Sequence, residues 1–184
     1  EKLARIPVDV KIASEFRYGD NIFTAGEAFI AVSQSGETAD TIAAVKKAKE
    51  FGSKVVALCN VLGSTVARES SEVLYTLAGP EIAVASTKAY ITQVLLFTLI
   101  AMDLAHQREL ISDEELAGML KELLAIPKKA ELLLMQQDVI ADLAKQHSNC
   151  KNVFFIGRLL DYCLSMEAAL KLKEISYLHS EAYA

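Results

Sequence analysis

The sequence predicts an α/β protein in which a parallel sheet is covered by helices in three layers. Three observations carry that prediction. Short apolar runs such as KVVAL at residues 54–58 have the length of buried strands. Helical patterns separate these runs, so strand and helix alternate along the chain. Glycine and proline punctuate the alternation, at Gly52, Gly79-Pro80 and Gly157.

Taken in order, residues 8–12 (VDVKI) read as a strand and residues 29–32 (FIAV) as a second. Residues 40–51 form an amphipathic helix with Ile42, Val45 and Ala48 on its apolar face. KVVAL is the third strand, residues 64–70 a short helix and residues 73–77 the fourth strand. A long helix follows over about residues 86–106. Its apolar stretch, residues 89–105, is short for a membrane span and contains Thr92, Gln93, Thr98 and Asp103. A buried core helix is the prediction, with no membrane as partner.

The character then changes. Ser112 stands as a helix cap with Glu115 at the capping-box position. Helical pattern continues to about residue 147 with an interruption at Pro127, which predicts a linker of two helices. Residues 153–156 (VFFI) read as a new strand and residues 161–177 as its helix. The predicted division is a first α/β unit over 1–108, a helical linker over 109–148 and the beginning of a second unit over 149–184. One strand and one helix cannot cover their own apolar faces, so a truncated end is expected there.

Composition sets the class. The 184 residues are 52% hydrophobic and 23% charged, with a net charge of −5. A soluble globular chain fits these values, and they give no support to nucleic-acid binding. Lys46, Lys47 and Lys49 read as one solvated helix face. The three cysteines, Cys59, Cys150 and Cys163, have no metal-ligand spacing. They are expected as buried free thiols in a reducing cytoplasm, with no metal site. No secretory signal opens the chain, which agrees with a cytoplasmic location.

The stretch SQSGETADT, residues 33–41, carries the chemistry. It follows an apolar strand and precedes a helix. In an open parallel sheet, ligands bind at the carboxyl ends of strands, where loops enter helices. The helix start offers N–H groups and a positive dipole end, both favourable to an anion. Gly36 permits a tight turn or a close approach. Ser33, Ser35 and Thr38 supply hydroxyl donors and Gln34 an amide, a set suited to a phosphate monoester. The alternative is that Ser35 or Thr38 merely caps the helix. A nucleotide P-loop is excluded, since that would need a GxxxxGK[ST] pattern.

SQSGETADT closely resembles the phosphosugar loop of the sugar isomerase (SIS) domain family, whose fold is a doubly wound, flavodoxin-like three-layer sheet. EIAVASTKAY (residues 81–90), IASEFRY (12–18) and ALKLKEISYLHSEAYA (169–184) resemble segments of one group within it, the glucosamine-6-phosphate synthases; the last looks like that group's catalytic helix. The resemblance covers nearly the whole chain. It implies the isomerase part of an enzyme that converts fructose 6-phosphate and ammonia to glucosamine 6-phosphate, without a cofactor. Ser33, Gln34, Ser35 and Thr38 would hold the phosphate, and Val84 and Ser86 would contact the sugar. Glu174 would move the proton between C1 and C2, and Lys171 would assist.

The residue types agree with that chemistry. A carboxylate beside a carbon–nitrogen double bond can take a proton from one carbon and return it to the next. Residues 171 and 174 stand i and i+3, so a helix presents them together. An ordinary surface ion pair would share that spacing. His179 could serve as a catalytic acid, but a structural role is preferred because catalysis in the family that the chain resembles uses a later histidine. The resemblance further implies a glutaminase domain in the same parent chain, a homodimer, and a first strand and CGTS-like loop before residue 1. A KHGP histidine and a C-terminal tail lysine are expected beyond Ala184. The fragment alone is expected to be inactive. After VFFIGR the chain reads LLDY where the family more often has another glycine, which weakens a binding role for Arg158. The alternatives are an SIS deaminase or deglycase, and a phosphosugar-sensing module without catalysis.

Overall fold

The computed structural model describes residues 1–23 and 26–184. The chain divides into two compact units, Glu1–Leu110 and Ile111–Ala184.

The first unit holds α1 (Ala13–Tyr18), β1 (Ala28–Ser33), α2 (Ala39–Glu50), β2 (Lys54–Cys59), α3 (Thr65–Glu69), β3 (Glu72–Tyr75) and α4 (Lys88–Gln107). The strands pair in the order β1-β2-β3, all parallel, as the alternation predicts. Their register aligns Ser33 with Cys59 and Cys59 with Tyr75. Parallel pairing therefore brings the carboxyl ends of three strands to one edge.

The core lies between the sheet and α2. Val45 and Ala48 of α2 meet Ala31 of β1, Val55 and Ala57 of β2, and Val66 of α3. Strand β1 alternates as a half-covered strand should: Ala31 and Ser33 are buried, Ile30 and Val32 exposed. Helix α1 packs on α2. The Phe16 ring sits 5.0 Å from Phe29 and 5.8 Å from Phe23, and Phe23 stacks on Phe51 at 4.3 Å.

Several expectations need correction. Residues 8–12 form no strand. Val8, Val10 and Ile12 are exposed, and Ile12 instead precedes the first turn of α1. Alternation only creates a strand where a neighbouring edge supplies hydrogen bonds, and among the described residues none pairs with this segment. Lys47 is not simply a solvated charge: its Nζ donates to the carbonyls of Arg17 (3.2 Å) and Gly19 (2.6 Å), closing the end of α1. Lys49 likewise donates to the Glu69 carbonyl at 2.7 Å. Cys59 is buried, but Cys150 and Cys163 are exposed.

Helix α4 is, among the described residues, the one helix long and apolar enough to cross a membrane by length and composition. The predicted burial holds for only Ala89, Met102 and Ala105. Ile91, Val94 and Phe97 are exposed, because the elements described cover only part of the helix.

The second unit comprises α5 (Asp113–Leu124), α6 (Ile126–Leu134), α7 (Gln137–Gln146), β4 (Asn152–Ile156), α8 (Leu160–Ser176) and β5 (His179–Tyr183). The capping box is present: Glu115 N–H donates to Ser112 Oγ at 3.2 Å, and Ser112 N–H to Glu115 Oε2 at 2.8 Å. Three helices follow it rather than two. Pro127 falls in the first turn of α6, where its missing N–H has no helical partner to lose, and a second break separates α6 from α7.

The predicted helix over 161–177 also stops short. Tyr177 turns left-handed at φ 59° and ends α8 at Ser176. HSEAY, expected to continue the catalytic segment, is a strand, β5, parallel to β4. Ser180 is fully buried in β5 and donates its hydroxyl proton to the Ala169 carbonyl at 2.7 Å, tying strand to helix.

The entry to α8 is tight. A Cβ on Gly157 would lie 2.4 Å from the Asp161 carbonyl carbon, and Leu159 holds φ 56°, ψ −120°, a region that glycine favours. Relief of that strain, roughly 1–3 kcal/mol, exceeds the roughly 0.5–1 kcal/mol entropic cost of glycine. Leu159→Gly should therefore stabilise the protein by about 1 kcal/mol, while Gly157→Ala should destabilise it. Urea denaturation checks both; a less stable Leu159→Gly would mean that the turn is unstrained.

Candidate functional site

Strand β1 ends at Ser33, and the chain must turn within five residues to begin α2. Ser33 shapes that turn from inside. Its buried Oγ accepts the Gly36 N–H at 3.0 Å and lies 3.1 Å from Thr38 Oγ1. Ser35 Oγ accepts the Glu37 N–H at 3.2 Å. Gly36 has φ +65°, and a Cβ there would meet Ser64 Oγ at 2.0 Å. The turn thus lies directly on the loop that follows β2. Val66 N–H donates to the Gly36 carbonyl at 2.9 Å and Thr65 N–H to Glu37 Oε1 at 2.7 Å, so the turn also grips the start of α3.

Asn60 joins the strand ends. Its N–H donates to the Gln34 carbonyl at 3.1 Å and its Nδ2 to the Gly79 carbonyl at 2.7 Å. Its Oδ1 accepts from Thr76 Oγ1 (3.0 Å) and Ala78 N–H (2.8 Å). One residue therefore links the three strand exits, its backbone N–H reaching the β1 exit and its side chain the β3 exit. Sequence reasoning missed it, since the side-chain partners lie 16 to 19 residues away.

No side chain caps α2. Thr38 occupies the N-cap position at φ −66°, ψ 117° but makes no side-chain cap bond. The simple capping alternative is therefore not how this loop uses its hydroxyls. The positive end of α2 faces the loop, and its first-turn acid, Asp40, is paired with Arg17 at 2.7 Å. The Asp40 contact raises the Arg17 pKa. Glu37 is held below the usual carboxylate range by its hydrogen bonds to the Thr65 side chain and N–H, and by the Arg68 charge.

A second loop leads into α4. Glu81 Oε2 accepts the N–H groups of Ala89 (3.0 Å) and Thr87 (3.4 Å), and Oε1 the Thr87 hydroxyl (3.4 Å). Glu81 thereby caps α4 from outside the helix, and the Ala89 N–H is the main cause of its lowered pKa. The loop it closes carries Val84, fully exposed, and Ser86, half-buried.

In the second unit, α8 presents Lys171 and Glu174 on one face, with Nζ 2.6 Å from Glu174 Oε2. Glu167, one turn earlier, adds a second carboxylate 3.6 Å from Nζ. The Glu174 hydrogen bond is the largest cause of the raised Lys171 pKa. Glu167 was missed, although its i, i+4 spacing to Lys171 is a readable signal. His179 is exposed on β5, 3.8 Å from Glu181. Among the described residues no three His, Cys, Asp or Glu side chains gather to hold a metal ion.

Comparison with known proteins gives this arrangement a family. The SIS domain profile matches residues 1–103. The chain belongs to the SIS domain family. Its SIS region and the residues beyond it are similar throughout to "glutamine–fructose-6-phosphate aminotransferase [isomerizing]" of Caldanaerobacter subterraneus subsp. tengcongensis, at 56% identity over 183 residues. The same-named protein of Clostridium tetani is 52% identical over 184 residues. Both matches cover 100% of this chain, which spans 30% of the length of each relative. The solved structure of the C-terminal domain of glucosamine-fructose-6-phosphate aminotransferase from Francisella tularensis superposes with TM-score 0.96 at 40% identity, over 99% of this chain and 52% of that one.

Within the SIS chain, Ser33, Gln34, Ser35 and Thr38 share one turn at the carboxyl edge of the sheet, and Val84 and Ser86 lie in the first unit with them. Lys171 and Glu174 belong to the second. The Gly36–Ser64 contact makes a test. Gly36→Ala should lower stability by about 1–3 kcal/mol. Gly63→Ala, also at positive φ but with nothing within 4 Å of its Cβ, should cost distinctly less. Equal losses by chemical denaturation would show that the close approach contributes nothing.

Proposed function

We propose that this SIS chain serves as the sugar-isomerase portion of a glutamine–fructose-6-phosphate aminotransferase. It would convert fructose 6-phosphate and ammonia to glucosamine 6-phosphate. The observation that carries the reading is similarity along the entire chain, at 56% and 52% identity, spanning both the SQSGET turn and the helix of Lys171 and Glu174. In this reading the ammonia comes from a glutaminase domain of the same parent protein, which acts as a homodimer in the cytoplasm.

The phosphate is held by the hydroxyls of Ser33, Ser35 and Thr38, the Gln34 amide and the uncapped start of α2. A dianion suits that site because hydroxyl and N–H donors need not be paired with a cation. Val84 and Ser86 contact the sugar carbons. In the ketose imine, Glu174 takes the C1 proton; the electron pair left at C1 forms the C1–C2 double bond as the C2 nitrogen takes up charge. Return of the proton to C2, as the C1 hydroxyl proton passes to the nitrogen and the C1 carbonyl forms, gives the aldose amine. Lys171, 2.6 Å from Glu174, holds the carboxylate in place on the helix face.

Two expectations follow for the full-length protein. Ser35→Ala and Thr38→Ala each remove a donor to a charged group worth roughly 1.5–3 kcal/mol, so fructose 6-phosphate affinity should fall about tenfold or more. Calorimetric titration against fructose 6-phosphate and fructose checks this; equal binding of both sugars would leave the turn without a phosphate role. Glu174→Gln keeps the shape but cannot accept the proton. It should bind fructose 6-phosphate nearly normally, still hydrolyse glutamine, and lose about 10²–10⁴ in sugar isomerisation. Exchange of the C1 proton into deuterated water at the parental rate would place the base elsewhere and leave Lys171–Glu174 an ordinary ion pair.

A further inference from the structure

An acid inside an anion-binding turn poses a problem. Glu37 sits between Ser35 and Thr38, where an unpaired carboxylate would repel a phosphate dianion. The geometry gives it another task. Its Oε1 accepts the Thr65 N–H at 2.7 Å, across 28 residues, while the neighbouring Gly36 carbonyl accepts the Val66 N–H at 2.9 Å. Ser64, the residue placed to cap α3, makes no side-chain cap bond there. Arg68, which donates to Thr65 Oγ1 at 2.8 Å and to the Gly63 carbonyl, adds positive charge on the same side. The carboxylate is thus engaged by the start of α3 rather than by the helix that the turn itself enters.

We infer that Glu37 is a positioning residue for phosphosugar binding, clamping the SQSGET turn to the first turn of α3 so that its hydroxyls and the start of α2 are held in place for the phosphate. The inference rests on the proposed phosphate role of residues 33–38. It assigns Glu37 no contact with the substrate: its effect passes through Thr65. Without the bond, the turn still folds around Ser33 and Gly36, but its outer half, Glu37 and Thr38, loses its anchor to α3.

The Thr65 N–H can be removed without disturbing the helix. Thr65 is the first residue of α3, where proline is tolerated, and Ser64 already has the extended conformation (φ −62°, ψ 163°) that a following proline requires. In the full-length protein, Glu37→Ala and Thr65→Pro should each raise the dissociation constant for fructose 6-phosphate about five- to tenfold. KM should rise in parallel while kcat is held. The double variant should be no weaker than Thr65→Pro alone, since both single variants delete the Glu37–Thr65 bond and only Thr65→Pro also removes the hydroxyl that Arg68 bonds. Glu37→Gln, whose amide oxygen can still accept the N–H, should restore binding to near the parental value.

Tighter binding in Glu37→Ala would overturn the inference, because the carboxylate would then act only as a like charge. So would additive losses in the double variant, or a Glu37→Gln as weak as Glu37→Ala. A parental protein that binds neither fructose 6-phosphate nor inorganic phosphate would remove the phosphate reading itself, and the inference with it. Parental binding combined with an indifferent Glu37→Ala would sink the inference alone.

Discussion

A turn carrying three hydroxyls at the carboxyl end of β1 needs something to lie against, and Gly36 provides the contact. With no Cβ it can take φ +65° and press against Ser64, a position where any larger residue would collide with the serine side chain. That approach brings the Gly36 carbonyl to the Val66 N–H and the Glu37 carboxylate to the Thr65 N–H. It also leaves the start of α2 without a side-chain cap. The unsatisfied donors and positive dipole end of a helix are thereby kept on the side of the turn where the hydroxyls gather. The contact depends in turn on parallel pairing, which sets Ser33 opposite Cys59 and so brings the two loops to one edge.

The same edge is managed electrostatically by occupying its acids. Asp40 is held by Arg17, Glu37 by the start of α3 and Glu81 by the start of α4. Two of these carboxylates are used as helix caps supplied from outside the helix, joining loops to elements they do not directly continue. Asn60 does the corresponding work with neutral groups, linking the exits of all three strands. The candidate site is therefore a set of loops held to each other largely through backbone N–H groups.

The second unit solves a different problem. Lys171 and Glu174 need only helical spacing to meet, and Glu167 joins them by the same rule. What sets the limits of α8 is backbone conformation at its ends: Leu159 at its entry and the left-handed Tyr177 at its exit. The exit turns the chain into β5, and the buried Ser180 hydroxyl holds that strand against Ala169 of the helix.

Local information was legible. The spacing of Ile42, Val45 and Ala48 marked α2, the Ser112–Glu115 capping box marked the start of α5, and the apolar runs marked β1, β2, β3 and β4. The family was readable from four quoted segments. Each of these signals lies within a few residues of sequence, where period and side-chain chemistry determine the outcome. The errors fell where pairing was decided at a distance. Residues 8–12 alternate like a strand but have no described neighbour, whereas HSEAY gains one in β4. Lys47 reads as a surface charge until the end of α1 is brought to it. By itself, the sequence determined which residue types could bind a phosphate and move a proton. Only the tertiary structure decided that Glu37 turns to α3 and that Asn60 bridges three strand exits. Those bonds join residues 16 to 28 positions apart, and no periodicity along a chain encodes which distant N–H a carboxylate will reach.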